Sequence, residues 1–260
     1  MRIDVYLTQN GYCESRSRAG RLIDEGKVTL DGKVVTKPSE TVDESIPHEV
    51  VVTEDGLVGR GGLKLKGAIE KFNIDVSGKR CIDVGASTGG FTQCLLACGA
   101  KHVVAVDSGR DQLHKSLRED ARVTSVEGYN ARGLSVEEFG MFELAVMDVS
   151  FISQTLIIPA LSGVISEGGG FVSLIKPQFE AGRQAIGKNG IVKRASDREY
   201  SILRVIDCAG AFGLSLEGIE LSPIKGGDGN IEYLAYFIKN NSAKQLSKQT
   251  AERIRQLCKE

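Results

Sequence analysis

Much that would classify a chain at a glance is missing from these 260 residues. No run approaches the roughly 20 apolar residues that cross a bilayer as a helix. The opening "MRIDVYLTQNGY" has no apolar core of a secretory leader. No membrane partner is expected, and the expected compartment is the cytoplasm. The six cysteines (Cys13, Cys81, Cys94, Cys98, Cys208, Cys258) are scattered, with neither CxxC pairing nor the density of a secreted disulfide scaffold. Cys94 and Cys98, four apart in a helical stretch, read as core thiols. His48, His102 and His114 share no motif, so no metal site is expected. An excess of one charge is lacking too: 33 basic and 34 acidic side chains leave a net charge of −1. No global field therefore draws nucleic acid, and any basic surface has to be local. Tandem repeats and low-complexity tracts are absent. What remains is the composition of an ordinary soluble globular chain, 41% hydrophobic and 26% charged. Its length suits about one or two domains.

Composition changes near residue 55. Before it, "RIDVYLTQNG" and "SRSRAGRLIDEG" read as two short helices, the second capped by Ser15 and ended by Gly26. "KVTLDGKVVTKPSETV" then alternates around Asp31-Gly32, a strong hairpin signal. Residues 1–54 thus form a small α+β module, and 55–62, within "EDGLVGRGG", form a glycine-rich linker. From 63 the pattern alternates: helix 63–73, strand 80–84, helix 90–98, strand 102–107, then strands within 121–128, 142–150 and 169–177. Repeated βα units predict an α/β fold with a mostly parallel, Rossmann-like sheet and helices on both faces. Helix 196–212 and two adjacent β runs, "GLSLEGIELSPI" and "NIEYLAYFIKN", predict an antiparallel last strand closing the sheet near 242. Residues 243–260 read as a C-terminal helix.

The chemistry starts at "CIDVGASTGGFTQCL", where strand 80–84 meets a glycine loop. Gly85, Gly89 and Gly90 are spaced G-x-x-x-G-G, and the dinucleotide fingerprint would need glycine where Ser87 stands. A phosphate-binding P-loop would need a lysine that the loop lacks, and Asp83 at its entrance would repel a diphosphate. A carboxylate there suits an amino group or a sulfonium. Asp107, ending the next strand, is placed to take both hydroxyls of a ribose, because ligands of such sheets bind at the carboxyl ends of strands. The combination favours an adenosyl methyl donor.

Four charged residues lie where strand ends and their flanks converge. Lys64 is in "RGGLKLKG", Asp148 in "AVMDVSF", Lys176 in "SLIKPQFE" and Glu232 in "GNIEYLAYF". Any one alone reads as a solvated charge. Lys176 resists that reading best, since it follows the apolar run "FVSLI" at the ligand-bearing edge. A ribose hydroxyl is a weak nucleophile, and an amine removes its proton only when neutral, a form that burial and a nearby cation both favour. Carboxylates orient such amines, and alignment of hydroxyl with donor supplies much of the acceleration.

At these residues the chain resembles the TlyA family, whose members carry both haemolysin and ribosomal RNA methyltransferase names. Its catalytic part is similar to the FtsJ-type ribose 2′-O-methyltransferases. "SRSRAGRLIDEGKVTLDGKVVTKP", "RGGLKL", "DVGASTGGFT", "MDVSFIS", "LIKPQFE" and "GNIEYL" follow the family's order over essentially the whole chain. The resemblance implies a class I methyltransferase sheet and S-adenosylmethionine as cofactor. Its Lys-Asp-Lys-Glu tetrad falls on Lys64, Asp148, Lys176 and Glu232, with Lys176 as base; Lys66 is the alternative to Lys64 in a shifted register. Its cofactor loop falls on Asp83, Gly85, Ser87, Gly89, Gly90 and Phe91, with Asp107 at the ribose, Asn130 near the adenine and Asp148 beside the donor. The implied reaction is 2′-O-methylation of ribosomal RNA, at a cytidine.

Residues 1–54 resemble the S-four-type RNA-binding domain. Its functional face would carry Arg16, Arg18 and Arg21, although residues 1–50 hold seven basic and nine acidic side chains. Arg60 in the linker, and the run Arg183, Lys188, Lys193, Arg194 and Arg198 in a glycine-containing loop after Lys176, extend the expected RNA surface. The expected partners are ribosomal RNA and ribosomal subunits, met by a monomer. Two other classes stay open: an RNA-binding protein that has lost catalysis, and a pore-forming haemolysin, which the lack of a spanning segment disfavours.

Overall fold

The computed structural model describes residues 1–13, 15–52, 61–187, 190–226, 229–240 and 246–260. Contacts divide the chain into Met1–Gly62 and Leu63–Glu260. In the first unit, α1 (Ile3–Gln9) and α2 (Arg16–Asp24) precede β1 (Val28–Leu30) and β2 (Lys33–Val34). Ser15 Oγ accepts from the Arg18 backbone N–H at 3.2 Å, and Gly26 at φ 69° ends the helix, both as the sequence predicts. Asp31 and Gly32 both take positive φ, which turns β1 onto β2 with Thr29 opposite Val34. A further strand, β3 (Val50–Val52), pairs with the other edge of β1. Three residues are too few to show alternation, so periodicity did not reveal it. Ile3, Leu7, Ala19, Leu22, Ile23, Val28, Val35 and Val42 make this unit's core.

Most of the expected linker lies outside the described residues, as does Arg60. Gly61 and Gly62 do not link but open α3 (Gly61–Phe72). There follow β4 (Arg80–Val84), α4 (Gly90–Ala97), β5 (His102–Asp107), α5 (Lys115–Arg118), β6 (Val123–Glu127), α6 (Val136–Phe139) and β7 (Phe142–Met147). The second half continues with α7 (Ile158–Gly163), β8 (Ile165–Ile175), α8 (Pro177–Glu180), α9 (Ala195–Ala211), β9 (Leu214–Leu221), β10 (Tyr233–Lys239) and α10 (Lys248–Leu257). The strands form one sheet in the order β6-β5-β4-β7-β8-β10-β9, parallel from β6 to β8, with β10 antiparallel to both neighbours.

Central strands read as unbroken apolar runs because both faces are covered: Leu144, Ala145, Val146, Met147, Phe171 and Val172 are all fully buried. The chain leaves β4 toward β5 on one side and later returns to β7 on the other. That reversal opens a crevice at the carboxyl end of β4, where the glycine loop lies. The expected strand over 142–150 ends at Met147, which frees Asp148 to Ser150 from the ladder. The C-terminal helix is not an appendage, for Ile254 and Leu257 of α10 are buried in the same core as the sheet. Among the described residues no helix is long and apolar enough to cross a membrane.

Candidate active site

Two strand registers assemble the site. β4 pairs with β7 so that Val84 opposes Met147, and Asp148 N–H donates to the Val84 carbonyl at 3.0 Å, bringing the residues after both strands side by side. Gly85 at φ 84° is required there: a β-carbon would lie 2.6 Å from the Asp148 carbonyl oxygen. β10 pairs with β8 so that Tyr233 opposes Ile175, which sets Glu232 beside Lys176. Neither pairing is local in sequence.

The first cavity, of about 510 Å³, lies over the glycine loop and is lined by Gly85, Ser87, Asp107, Asn130 and Asp148 among others. These five were expected at a cofactor. Asp107 orders the loops, its two oxygens accepting the backbone N–H groups of Ser87 at 2.8 Å and Gly109 at 2.7 Å and so pinning both loops of the crevice. Ser87 takes a left-handed φ of 47° to do so. Asp83, Gly89, Gly90 and Phe91 do not line this cavity. Gly89 (φ 99°) caps α4, Gly90 and Phe91 begin that helix, and Asp83 lies fully buried in β4. Asp83 Oδ2 accepts from the Thr92 hydroxyl at 2.7 Å, while Oδ1 has no hydrogen-bond partner among the described residues. Burial above all, with Asp148 and Asp107 adding repulsion, pushes the Asp83 carboxyl up to about 7. Glu127, unremarked in the sequence, orders the facing loop by accepting the backbone N–H groups of Asp111, Gln112 and Leu113.

The second cavity, of about 320 Å³, is lined by Lys64, Ser150, Phe151, Lys176, Gln178 and Glu232, with Phe179 and Ile186 beside them. Lys64 Nζ lies 2.6 Å from Glu232 Oε2, and Lys176 Nζ lies 2.6 Å from Asp148 Oδ1. Lys176 also donates to Ser150 Oγ at 2.8 Å. Its contact with Asp148 is one of charge, not an aligned hydrogen bond. Lys64, Lys176 and Glu232 are all buried, unlike ordinary lysines and glutamates. Gly226 makes room for Glu232, because a β-carbon there would come within 2.6 Å of Oε1.

Ser150 and Phe151 line both cavities. Phe151 is 93% exposed, holds a left-handed φ of 64°, and its ring centre is 5.3 Å from that of Phe179. A bulky residue at positive φ is a marked exception. Ser150, Phe151, Gln178 and Phe179 were missed as site residues. They follow closely on Asp148 and Lys176 in "DVSF" and "KPQF", but exposure and backbone sign are not written in residue order.

Behind both segments is a buried clamp. Glu180 accepts the Gln154 backbone N–H at 2.7 Å and the Ser153 hydroxyl at 2.5 Å; Gln154 Nε2 donates to the Leu174 carbonyl at 2.6 Å, and the Ser173 hydroxyl donates to Gln154 Oε1. The loop after β7 is thereby fixed to β8 and α8, which carry Lys176.

The expected RNA residues are placed in different ways. Arg18 and Arg21 line a surface groove at the start of α2, with Tyr12, Ser15 and Ser17. Arg16 is instead tied to Asp4 at 3.0 Å, and Asp4, held mainly by Arg2 and also by Arg16, has its carboxyl lowered to about 2. In the second unit, Arg183, Lys193 and Arg194 are exposed, Arg194 pairing with Asp197 at 2.7 Å. Lys188 lies outside the described residues. Arg198 is a correction: it is buried, and its guanidinium donates to the backbone carbonyls of Val192, Lys193 and Cys258, so it holds the chain and does not face a ligand.

A doubly wound sheet, a glycine-loop crevice and the lysine–carboxylate pairs Lys64–Glu232 and Lys176–Asp148 define an FtsJ-like methyltransferase, and residues 57–239 match the model of that family. Residues 1–45 match the S4 domain. The chain belongs to the TlyA family of FtsJ-like methyltransferases. It is 45% identical over 237 residues, 90% of this chain and 88% of the other, to the 16S/23S rRNA (cytidine-2'-O)-methyltransferase TlyA of Mycobacterium tuberculosis. It is 44% identical to Hemolysin A of Brachyspira hyodysenteriae, covering 92% of this chain and 100% of that one. A solved protein from Streptococcus thermophilus put forward as a hemolysin superposes with a TM-score of 0.76 at 43% identity, over 100% of this chain and 96% of its own.

Proposed function

We propose that this chain methylates the ribose 2′-hydroxyl of a cytidine in ribosomal RNA, using S-adenosylmethionine, in the cytoplasm. The observation that carries the reading is the convergence of Lys64, Lys176 and Glu232 on one cavity that meets the glycine-loop cavity at Ser150 and Phe151. The cytidine preference and the ribosomal substrate are supported by the relative from Mycobacterium tuberculosis. The residues over the loop fit the donor: Asp107 and Asp148 line the cavity, and a buried Asp83 oxygen without a partner among the described residues lies beneath the loop. That set suits a cationic ligand with a ribose. When bound, the donor supplies an electrophilic methyl group.

The remaining work falls to the chain. Lys176 Nζ donates to Ser150 Oγ and lies against the Asp148 carboxylate, which leaves a position on the nitrogen for the ribose oxygen. Lys176 in its neutral form accepts the hydroxyl proton, and Asp148 stabilises the ammonium that results. Lys64, held by Glu232 in the same cavity, orients the ribose. Phe151 offers an exposed ring on which the attached base stacks.

Lys176→Ala is expected to lower methyl transfer by about 10²–10⁴-fold, the usual scale of general-base catalysis, while donor affinity stays within a few-fold. Radiolabelled donor with ribosomal RNA measures the first and calorimetric titration the second. Full activity in the variant would refute the assignment of Lys176. Donor binding with no product from the wild type would support a catalytically silent RNA-binding protein instead.

A further inference from the structure

We infer that Gln178 reads the base-pairing edge of the target nucleotide and sets its preference for cytosine; the inference rests on the methyl transfer proposed above. Gln178 lies two residues beyond Lys176, in the first turn of α8, and lines the cavity that holds Lys64, Lys176 and Glu232. The other polar side chains of that wall are spoken for: Lys64 holds Glu232, and Lys176 holds Asp148 and Ser150. Gln178 Oε1 is buried and has no hydrogen-bond partner among the described residues. A buried acceptor without a donor is costly, and folded proteins keep one chiefly where a ligand, water or ion supplies the missing hydrogen.

The nearby chemistry says which ligand group does so. A ribose held at Lys176 carries its base into the same cavity, out of any helical stack, where a protein can read the base's pairing edge. Phe151 and Phe179, with ring planes 54° apart, offer faces for stacking and leave the edge of the base to polar groups. Cytosine presents an exocyclic amine next to a bare ring nitrogen. A primary amide matches both at once, its oxygen accepting from the amine and its NH₂ donating to the ring nitrogen. Uracil presents the reverse, a carbonyl beside an N–H. Its carbonyl would then face Oε1, acceptor against acceptor, as long as the amide keeps the orientation in which Oε1 is the buried atom. Glu232, acceptor-only and already held by Lys64, cannot make this distinction.

The test uses the full chain, radiolabelled S-adenosylmethionine, and ribosomal RNA bearing cytidine or uridine at the position that the wild type methylates. Wild type is compared with Gln178→Met and Gln178→Glu, each checked for folding by thermal melting and for donor affinity by titration. The wild type is expected to favour cytidine by about 10–100-fold in kcat/KM, the discrimination of one good bidentate contact. Gln178→Met is expected to lose that factor on cytidine alone, bringing the two substrates within a few-fold of each other at unchanged donor affinity. If Gln178→Met does not fold, Gln178→Glu decides, because its carboxylate repels the bare ring nitrogen and is expected to shrink the same ratio. A variant that keeps the wild-type ratio, or slows both substrates alike, overturns the inference. So does a wild type that methylates ribose without regard to the base, which removes the cytidine preference but leaves the ribose methylation standing. A wild type that methylates no ribose overturns both.

Discussion

Asp83 shows how a single buried acid ties the site to the stability of the fold. Its carboxyl titrates near 3.8 in an unfolded chain and is pushed up to about 7 by burial, with Asp148 and Asp107 reinforcing the shift and Thr92 opposing it. The folded state therefore binds the proton more tightly. The stability this contributes is fully present below pH about 4 and is lost as pH rises through about 7. Asp83→Asn removes the charge that the fold resists. Its melting temperature, relative to wild type, is expected to be higher at pH 8 than at pH 4, with roughly 2–4 °C for each kcal/mol at this size. The same substitution is expected to weaken the donor. An equal offset at both pH values, in scanning calorimetry without ligand, would show that Asp83 is not strained in the folded state. The sequence showed the acid at the strand's end and the chemistry it favours. It did not show that Asp83 lies beneath the loop and not in the cavity wall, a distinction set by how β4 is buried.

Among the elements, β7, β8 and β10 carry most of the site, and their legibility was uneven. The apolar runs over 80–84 and 102–107 gave β4 and β5 to the residue, since a strand covered on both faces leaves a strong compositional mark. The adjacency of Glu232 to Lys176 left no such mark, because it depends on β10 entering between β8 and β9 in one register. The motifs "LIKPQFE" and "GNIEYL" identified the two residues, and only their family order linked them. Phe151 escaped entirely: its exposure and left-handed backbone are imposed by the loop around it. The clamp of Ser153, Gln154, Ser173 and Glu180 is invisible for the same reason, being built between segments. Gln154→Leu strips partners from Ser173 and the Leu174 carbonyl, and such orphaned groups cost about 1–3 kcal/mol each. The expected outcome is lower thermal stability and lower kcat at nearly unchanged donor affinity, measured by melting and steady-state kinetics. A fall in donor affinity alone would place the clamp's influence on the wrong cavity.

At the scale of the whole molecule, two units with separate cores share a chain whose charges nearly cancel. Attraction to RNA therefore has to be local, and we propose that Arg18 and Arg21, which line the groove of the first unit, contribute to it. Replacing either by alanine is expected to reduce the slope of log affinity against log salt for ribosomal RNA by about 1, as for a lost phosphate contact. Arg16→Ala is expected to change that slope less and to lower the first unit's stability, since Arg16 is engaged with Asp4. Equal slopes for all three variants, from filter binding over a salt series, would remove the distinction.

Arg198 joins the backbone just before α9, at Val192 and Lys193, to the carbonyl of Cys258, two residues from the last. The segment it holds is continuous with Gly190, which lines the acceptor cavity. The contact spans 60 residues of chain, so it cannot form until α9 and α10 have packed together. The wall beside the lysine cavity is thus braced from a helix that does not itself line that cavity.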